Sequence, residues 1–166
     1  MSQGLSRTIS LSSPDATAAL GQALAGVLCP GDVILVSGNV GAGKTLFARA
    51  LIAARLAAAG LTEDIPSPTY TLVQTYDDTV CEIWHADLYR LGDPGEVVEL
   101  GLSEAFENAI CLVEWPDRLG TLSPPQALRV DLSMGQGAGE RRARLSGDKR
   151  RWAATLERVM AGLRHV

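Results

Sequence analysis

The chain has 166 residues, 46% hydrophobic and 20% charged, with a formal net charge of −4. Such a length fits one domain over residues 1–166 with a sizeable core, and the acidic balance argues against a broad nucleic-acid surface of its own. No run of about 18 apolar residues offers a membrane span, and Met1 to Asp15 lacks the apolar core of a signal peptide, so the cytoplasm is the expected compartment.

In chain order, Ser13-Pro14-Asp15 is a helix start, with Ser13 as N-cap and Pro14 at the first helical position. Leu20, Leu24 and Leu28 then recur every four residues, which predicts one buried helix face as far as Cys29, where Pro30-Gly31 turns the chain. Asp32 to Val36 is a short β-branched run that reads as a buried strand entering the turn at Ser37-Gly38. Leu46 to Ala59 is rich in helix formers, and Gly60 supplies a C-terminal stop.

Between that strand and that helix lies Gly38-Asn39-Val40-Gly41-Ala42-Gly43-Lys44-Thr45, which fits the phosphate-cradling pattern G-x-x-x-x-G-K-[ST]. The glycines allow positive φ, so successive backbone N–H groups can turn inward around an anion. Lys44 offers a mobile ammonium to the β- and γ-phosphates, and the Thr45 hydroxyl is a small oxygen ligand for the accompanying Mg²⁺. The helix beginning near Leu46 presents its positive end to the same phosphates. These residues make the chain a nucleoside triphosphate binder.

Beyond Gly60, a loop with two prolines runs to Pro68. Thr71 to Tyr76 and Val80 to Leu88, separated by Asp77-Asp78-Thr79, predict a hairpin. Asp93-Pro94-Gly95-Glu96 opens a short helical stretch ending near Gly101, and Ser103 caps another turn. Ala109 to Val113 is an apolar run of strand length, buried on both faces, that ends at Glu114-Trp115-Pro116. Leu128 to Leu132 and Arg142 to Leu145 flank the glycine-rich turn 135–139 as an antiparallel pair. Asp148 then caps a terminal helix with Trp152, Leu156, Val159, Met160 and Leu163 on one face. The architecture predicted is an α/β sandwich of the P-loop NTPase kind, with a mixed, mostly parallel central sheet and flanking helices. Cys29, Cys81 and Cys111 lie far apart and read as buried thiols of a reducing compartment. The Arg141-Arg142 and Lys149-Arg150-Arg151 clusters read as solvated faces.

A P-loop needs a second carboxylate on the metal side. Glu114, at the C-terminal end of a buried strand, is placed to hold Mg²⁺ opposite Thr45. Asp87, in His85-Ala86-Asp87-Leu88-Tyr89-Arg90, is the other candidate, as an outer metal ligand or as the group orienting the attacking water; the plainer reading pairs it with Arg90. His85 alone reads as a hydrogen-bonded strand histidine. Thr69, in Ser67-Pro68-Thr69-Tyr70, either contributes a hydroxyl to metal or phosphate or belongs to a simple proline turn. Trp115 lines the nucleotide pocket or packs in the core.

The P-loop, Ser67-Pro68-Thr69-Tyr70, His85-Ala86-Asp87-Leu88-Tyr89-Arg90-Leu91 and Leu112-Val113-Glu114-Trp115-Pro116, in that order, resemble the TsaE family, the bacterial ATPase of tRNA threonylcarbamoyladenosine biosynthesis. The resemblance covers roughly residues 7 to 132. It implies ATP and Mg²⁺ as cofactors. It also implies a partner heterodimer of two sugar-kinase-like proteins that transfers threonylcarbamoyl to the adenosine beside the anticodon, with nucleic acid met only through those partners. ATP hydrolysis would reset that complex between turnovers. Carried over by match, Gly38 to Leu46 hold the nucleotide with Thr69 in a switch-like segment, Lys44 holds phosphates, Thr45 and Glu114 hold Mg²⁺, and Asp87 supports hydrolysis. One departure is Ala86, where the family often carries a bulkier apolar residue.

Two other readings compete. A small-molecule kinase would need a lid of arginines, and residues 116–126 offer only Arg118. A GTP-driven switch is suggested by the D-x-x-G of Asp117-Arg118-Leu119-Gly120, but no Asn-Lys-x-Asp for reading guanine accompanies it.

Overall fold

A computed structural model describes residues 3–164. One seven-stranded sheet, in the order β1-β7-β6-β2-β5-β4-β3, runs through it. Its strands are β1 (Gly4–Leu11), β2 (Val33–Ser37), β3 (Val73–Asp77), β4 (Glu82–Asp87), β5 (Ile110–Glu114), β6 (Leu128–Met134) and β7 (Arg141–Asp148). Pairs β6–β2, β2–β5 and β5–β4 are parallel, whereas β1–β7, β7–β6 and β4–β3 are antiparallel. Strands β1, β2, β4, β5 and β6 therefore run one way and β3 and β7 the other, which is the mostly parallel mixed sheet expected.

Helices cover both faces. Helices α1 (Pro14–Ala25), α2 (Lys44–Ala58) and α5 (Lys149–Leu163) pack on one side, and α3 (Gly95–Glu99) and α4 (Leu102–Asn108) on the other. Strand β2 serves both cores at once. Ile34 and Val36 face Phe47, Leu51 and Trp152, while Val33 and Leu35 face Val97, Leu102 and Leu119. An alternating strand with no polar side is what a centre strand between two helical layers requires.

The local signals for helix ends act as written in the sequence. The Ser13 side chain accepts from the Ala16 N–H, and the Asp148 side chain accepts from the Arg150 N–H. At the end of α2, Gly60 takes φ 75°, with bonds from Leu61 N–H to Leu56 O and from Gly60 N–H to Ala57 O. That is a Schellman stop.

Four expectations need correction. Residues 4–11 form an edge strand where none was predicted. Helix α1 ends at Ala25 with Gly26 as its cap, and Leu28 is buried from the following turn rather than from the helix. Helix α4 is capped by Gly101, at φ 86°, and not by Ser103. Of the cysteines only Cys111 is buried, its thiol pushed up to about 12 by desolvation; Cys29 is exposed and Cys81 half-buried.

Helix α2 is fixed tightly because it carries the site at its N-terminus. A Cβ on Gly21 would stand 2.6 Å from the Phe47 carbonyl oxygen, so glycine is what lets α1 approach α2. At the far end of α2, Arg55 donates to the Ala25 and Leu28 carbonyls and to Asp78 Oδ2 at 2.7 Å, tying α1, α2 and the β3–β4 turn together. Burial alone would raise the Asp78 carboxyl; the Cys81 N–H, Arg55 and the Val80 N–H outweigh it and hold the group below its ordinary value. Removing the carboxylate as Asp78→Ala leaves Arg55 without its partner in a mostly buried place, at a cost of about 3–5 kcal/mol at pH 7. Since the folded-state pKa lies below the ordinary 3.8, the difference between wild type and variant is complete at neutral pH and fades as pH falls below that value. Urea unfolding of both proteins from pH 7 to pH 3 checks this; a difference independent of pH contradicts it.

Candidate functional site

Parallel register builds the site. Val36 on β2 pairs with Glu114 on β5, and Glu114 pairs with Asp87 on β4, so the chain leaves β2 as the P-loop directly beside two strand-end carboxylates. The carboxyl ends of parallel strands are where open α/β sheets bind ligands.

The loop itself is a tight cradle. Gly38 has φ 148°, and a Cβ there would stand 2.5 Å from the Leu132 carbonyl oxygen, so no other residue fits without moving β6. Gly43 caps α2 at φ 101°, and the first N–H groups of the helix have no helical carbonyl to bond. These donors include the Leu46 N–H, which gives that residue its place in the cradle. Val40, Gly41, Gly43, Lys44, Thr45 and Leu46 line a cavity of about 410 Å³ together with Thr69, Asp87, Tyr89, Glu114 and Trp115. The remaining loop residues are not part of its lining. Gly38 and Asn39 hold the lysine through their carbonyls, and Ala42 is buried. A second cleft of about 370 Å³ lies beside Arg55 and Asp78 at the opposite end of α2, where the charges are already paired.

Lys44 is only 6% exposed. Its Nζ donates to Gly38 O at 2.6 Å and Asn39 O at 2.9 Å and lies 4.4 Å from the centre of the Trp115 ring. Burial lowers the Lys44 pKa below the ordinary lysine value, and the Glu114 and Asp87 carboxylates act against that shift. Thr45 Oγ1 donates to Glu114 Oε1 at 2.9 Å. A threonine hydroxyl and a carboxylate are hard oxygen donors of the kind Mg²⁺ takes, so the residues present fit that ion.

Asp87 is buried and is not paired with Arg90, whose guanidinium instead lies over the Tyr70 ring at 4.5 Å. Asp87 Oδ1 accepts from the Tyr89 N–H at 3.0 Å, while Oδ2 receives a long contact of 3.4 Å from Thr69 Oγ1. The turn that delivers Thr69 is held at Leu72, a non-glycine at φ 67°, whose N–H donates to Pro68 O and whose carbonyl accepts from the Asp87 N–H. Thr69 therefore reaches the cavity, and the predicted strand from Thr71 starts only at Val73.

Trp115 does two things at once. Its backbone sits in the left-handed region at φ 60°, a strained place for a bulky residue. The ring packs against the core beneath α3 and α4 and still presents itself to Lys44 and, at 4.9 Å between centroids, to Tyr89.

Four residues, at the site or away from it, make contacts that were not read from the sequence. His85 Nε2 lies 2.7 Å from Glu114 Oε2. Arg141, read as part of a solvated face, donates from Nη2 to Gly41 O at 2.9 Å and so props the P-loop from β7. Arg151 likewise pairs with Asp32 instead of facing only solvent. Thr17 is buried where a Cβ on Gly43 would meet its methyl at 3.5 Å. A signal for His85 existed, because it stands two residues before Asp87 and so shares its strand face. The long-range partners of Arg141 and Thr17 leave no such trace.

The family model described as threonylcarbamoyl adenosine biosynthesis protein TsaE matches residues 11–143. A Rickettsia bellii protein named tRNA threonylcarbamoyladenosine biosynthesis protein TsaE is 39% identical over 129 residues, covering 78% of this chain and 87% of that protein. A Bacillus subtilis protein of the same name is 36% identical over 118 residues, covering 70% of this chain and 71% of that one. The crystal structure of Bacillus subtilus YdiB superposes with a TM-score of 0.74 at 26% identity, covering 97% of each chain.

If Lys44 meets the phosphates of a nucleotide, Lys44→Ala removes a charge-assisted contact worth about 1.5–3 kcal/mol, and nucleotide affinity measured by calorimetry falls roughly 10- to 150-fold. Unchanged affinity in a folded variant would mean that the ammonium serves only Gly38, Asn39 and Trp115.

Proposed function

The chain belongs to the TsaE family, and from that premise we propose that it is the ATP-binding and ATP-hydrolysing subunit required for threonylcarbamoyl modification of the adenosine next to the anticodon in tRNA. The family match favours this role over that of a small-molecule kinase. The partner would be a heterodimer of two sugar-kinase-like proteins, and tRNA would be met through it, in keeping with a net charge of −4. No helix among the described residues is long and apolar enough to cross a membrane, and the cytoplasm, where tRNA is modified, is the compartment we propose. Residues 1–166 would act as one P-loop domain, a reading supported by the continuous sheet from β1 to β7.

The observation that carries the ATPase reading is the 2.9 Å contact between Thr45 and Glu114. It joins the P-loop to the strand-end carboxylate, the two protein sides of a nucleotide-bound metal. The N–H groups of Gly41 to Leu46 would receive the phosphates, and the Lys44 ammonium would neutralise the oxygens that gain charge. Thr45 and Glu114 would hold Mg²⁺, which supplies Lewis-acid stabilisation of phosphoryl oxygens when bound. Asp87 and Thr69, which line the cavity, would orient a water molecule. Trp115 and Tyr89 would shield the phosphates on the remaining side and keep the local dielectric low.

Incubated with ATP and Mg²⁺, the protein should release ADP and inorganic phosphate slowly, with ATP outcompeting GTP. Glu114→Ala should fold and lose the Mg²⁺-dependent turnover by about 100-fold or more, as expected when a main electrostatic contributor is removed. Preference for GTP, or full turnover in Glu114→Ala, would contradict the assignment.

A further inference from the structure

We propose that His85 is a positioning residue for the site: its imidazole donates an Nε2–H hydrogen bond that fixes the Glu114 carboxylate toward Thr45 and thereby sets the affinity for Mg²⁺. The inference rests on the reading of Glu114 as the metal-side carboxylate.

The geometry follows from sheet register. His85 on β4 pairs with Leu112 on β5, and Glu114 is two residues further along the same face, so the two side chains are diagonal neighbours. His85 is 0% and Glu114 1% exposed. A carboxylate so buried must have donors, and Glu114 has one for each oxygen: Thr45 Oγ1 on Oε1 at 2.9 Å and His85 Nε2 on Oε2 at 2.7 Å.

The two donors are not equivalent. Thr45, in the first turn of α2, is itself a candidate metal ligand, whereas His85 lies inside a strand paired on both sides. His85 is the partner that stays in place when Thr45 turns to the cation. The orientation of its proton is constrained as well. His85 Nδ1 is buried with no hydrogen-bond partner. A neutral imidazole with hydrogen on Nδ1 would leave a buried donor unsatisfied and would point the Nε2 lone pair at a carboxylate. Hydrogen on Nε2 turns the contact with Glu114 into a hydrogen bond and leaves at Nδ1 an unpaired acceptor in place of an unpaired donor. Outer partners that orient a metal ligand in this way typically change metal affinity ~10- to 100-fold when removed.

Two amide variants separate positioning from packing. The Gln amide of His85→Gln reaches the Nε2 position, whereas the amide of His85→Asn is shorter and does not reach Glu114. ATP binding is followed by calorimetry in EDTA and across a Mg²⁺ titration, with thermal unfolding recorded for each protein. The expected result is ATP affinity in EDTA equal to wild type for both variants. In His85→Asn the Mg²⁺ needed for half of the full enhancement should rise ~10-fold or more, and His85→Gln should recover most of that loss. Equal Mg²⁺ dependence in His85→Asn and wild type overturns the proposal, as does an equal loss in EDTA. A wild type whose ATP binding ignores Mg²⁺ overturns the metal reading itself, and this inference with it. Should His85→Asn fail to fold, long-range ¹H–¹⁵N spectra of the wild type decide the matter. Hydrogen on Nε2 of His85 supports the proposal, and hydrogen on Nδ1 overturns it.

Discussion

A carboxylate buried at the end of a strand has to be satisfied, and much of the site is arranged around that one requirement. Glu114 closes β5, which is buried along its whole length, so water cannot solvate it freely. The chain answers from two directions. Thr45 comes from the first turn of α2, and His85 comes from the neighbouring strand β4. Each is in place only because β2, β5 and β4 are parallel neighbours in fixed register. A one-residue slip of β5 would turn Glu114 into the opposite core and present Val113 to the P-loop.

The same constraint explains where charge is left incompletely matched. Asp32 and Asp78 are buried and each is closed by an arginine, Arg151 and Arg55. The buried charges at the cavity are treated differently. Lys44 rests on two carbonyl oxygens and an aromatic face, and Asp87 has a backbone N–H and one long hydroxyl contact. A structural ion pair would have drawn Lys44 onto Asp87 or Glu114. Keeping them apart stores affinity for a ligand that brings both signs, as a nucleotide phosphate with its cation does. The strained backbone at Leu72 and Trp115 flanks this same region, consistent with strain being held where function needs a fixed shape.

What the sequence made legible was local. The P-loop, the capped starts of α1 and α5, the Schellman end of α2 and the doubly buried strands β2 and β5 each have a signal within a few residues. Strand β1 escaped because its alternation of Leu5, Ile9 and Leu11 is broken by Arg7, and an edge strand needs only one apolar side. Helix α1 appeared too long because Leu28 continues the four-residue spacing after the helix has ended. The candidate site residues Lys44, Thr45, Thr69, Asp87 and Glu114 were legible as types, and the structure brings them to one cavity. Their contacts were not legible, since the Thr45–Glu114 and His85–Glu114 pairs depend on the spatial order of strands. Arg141 reaches Gly41 for the same reason, through the hairpin that returns β7 alongside β6.

The most direct measurement is the threonylcarbamoyladenosine content of bulk tRNA, by mass spectrometry of nucleosides. Cells depleted of this protein would be compared with cells rescued by wild type or by Lys44→Ala. The account predicts that the modified nucleoside is lost on depletion and restored by wild type but not by Lys44→Ala. Unchanged content on depletion, or full rescue by Lys44→Ala, would contradict it.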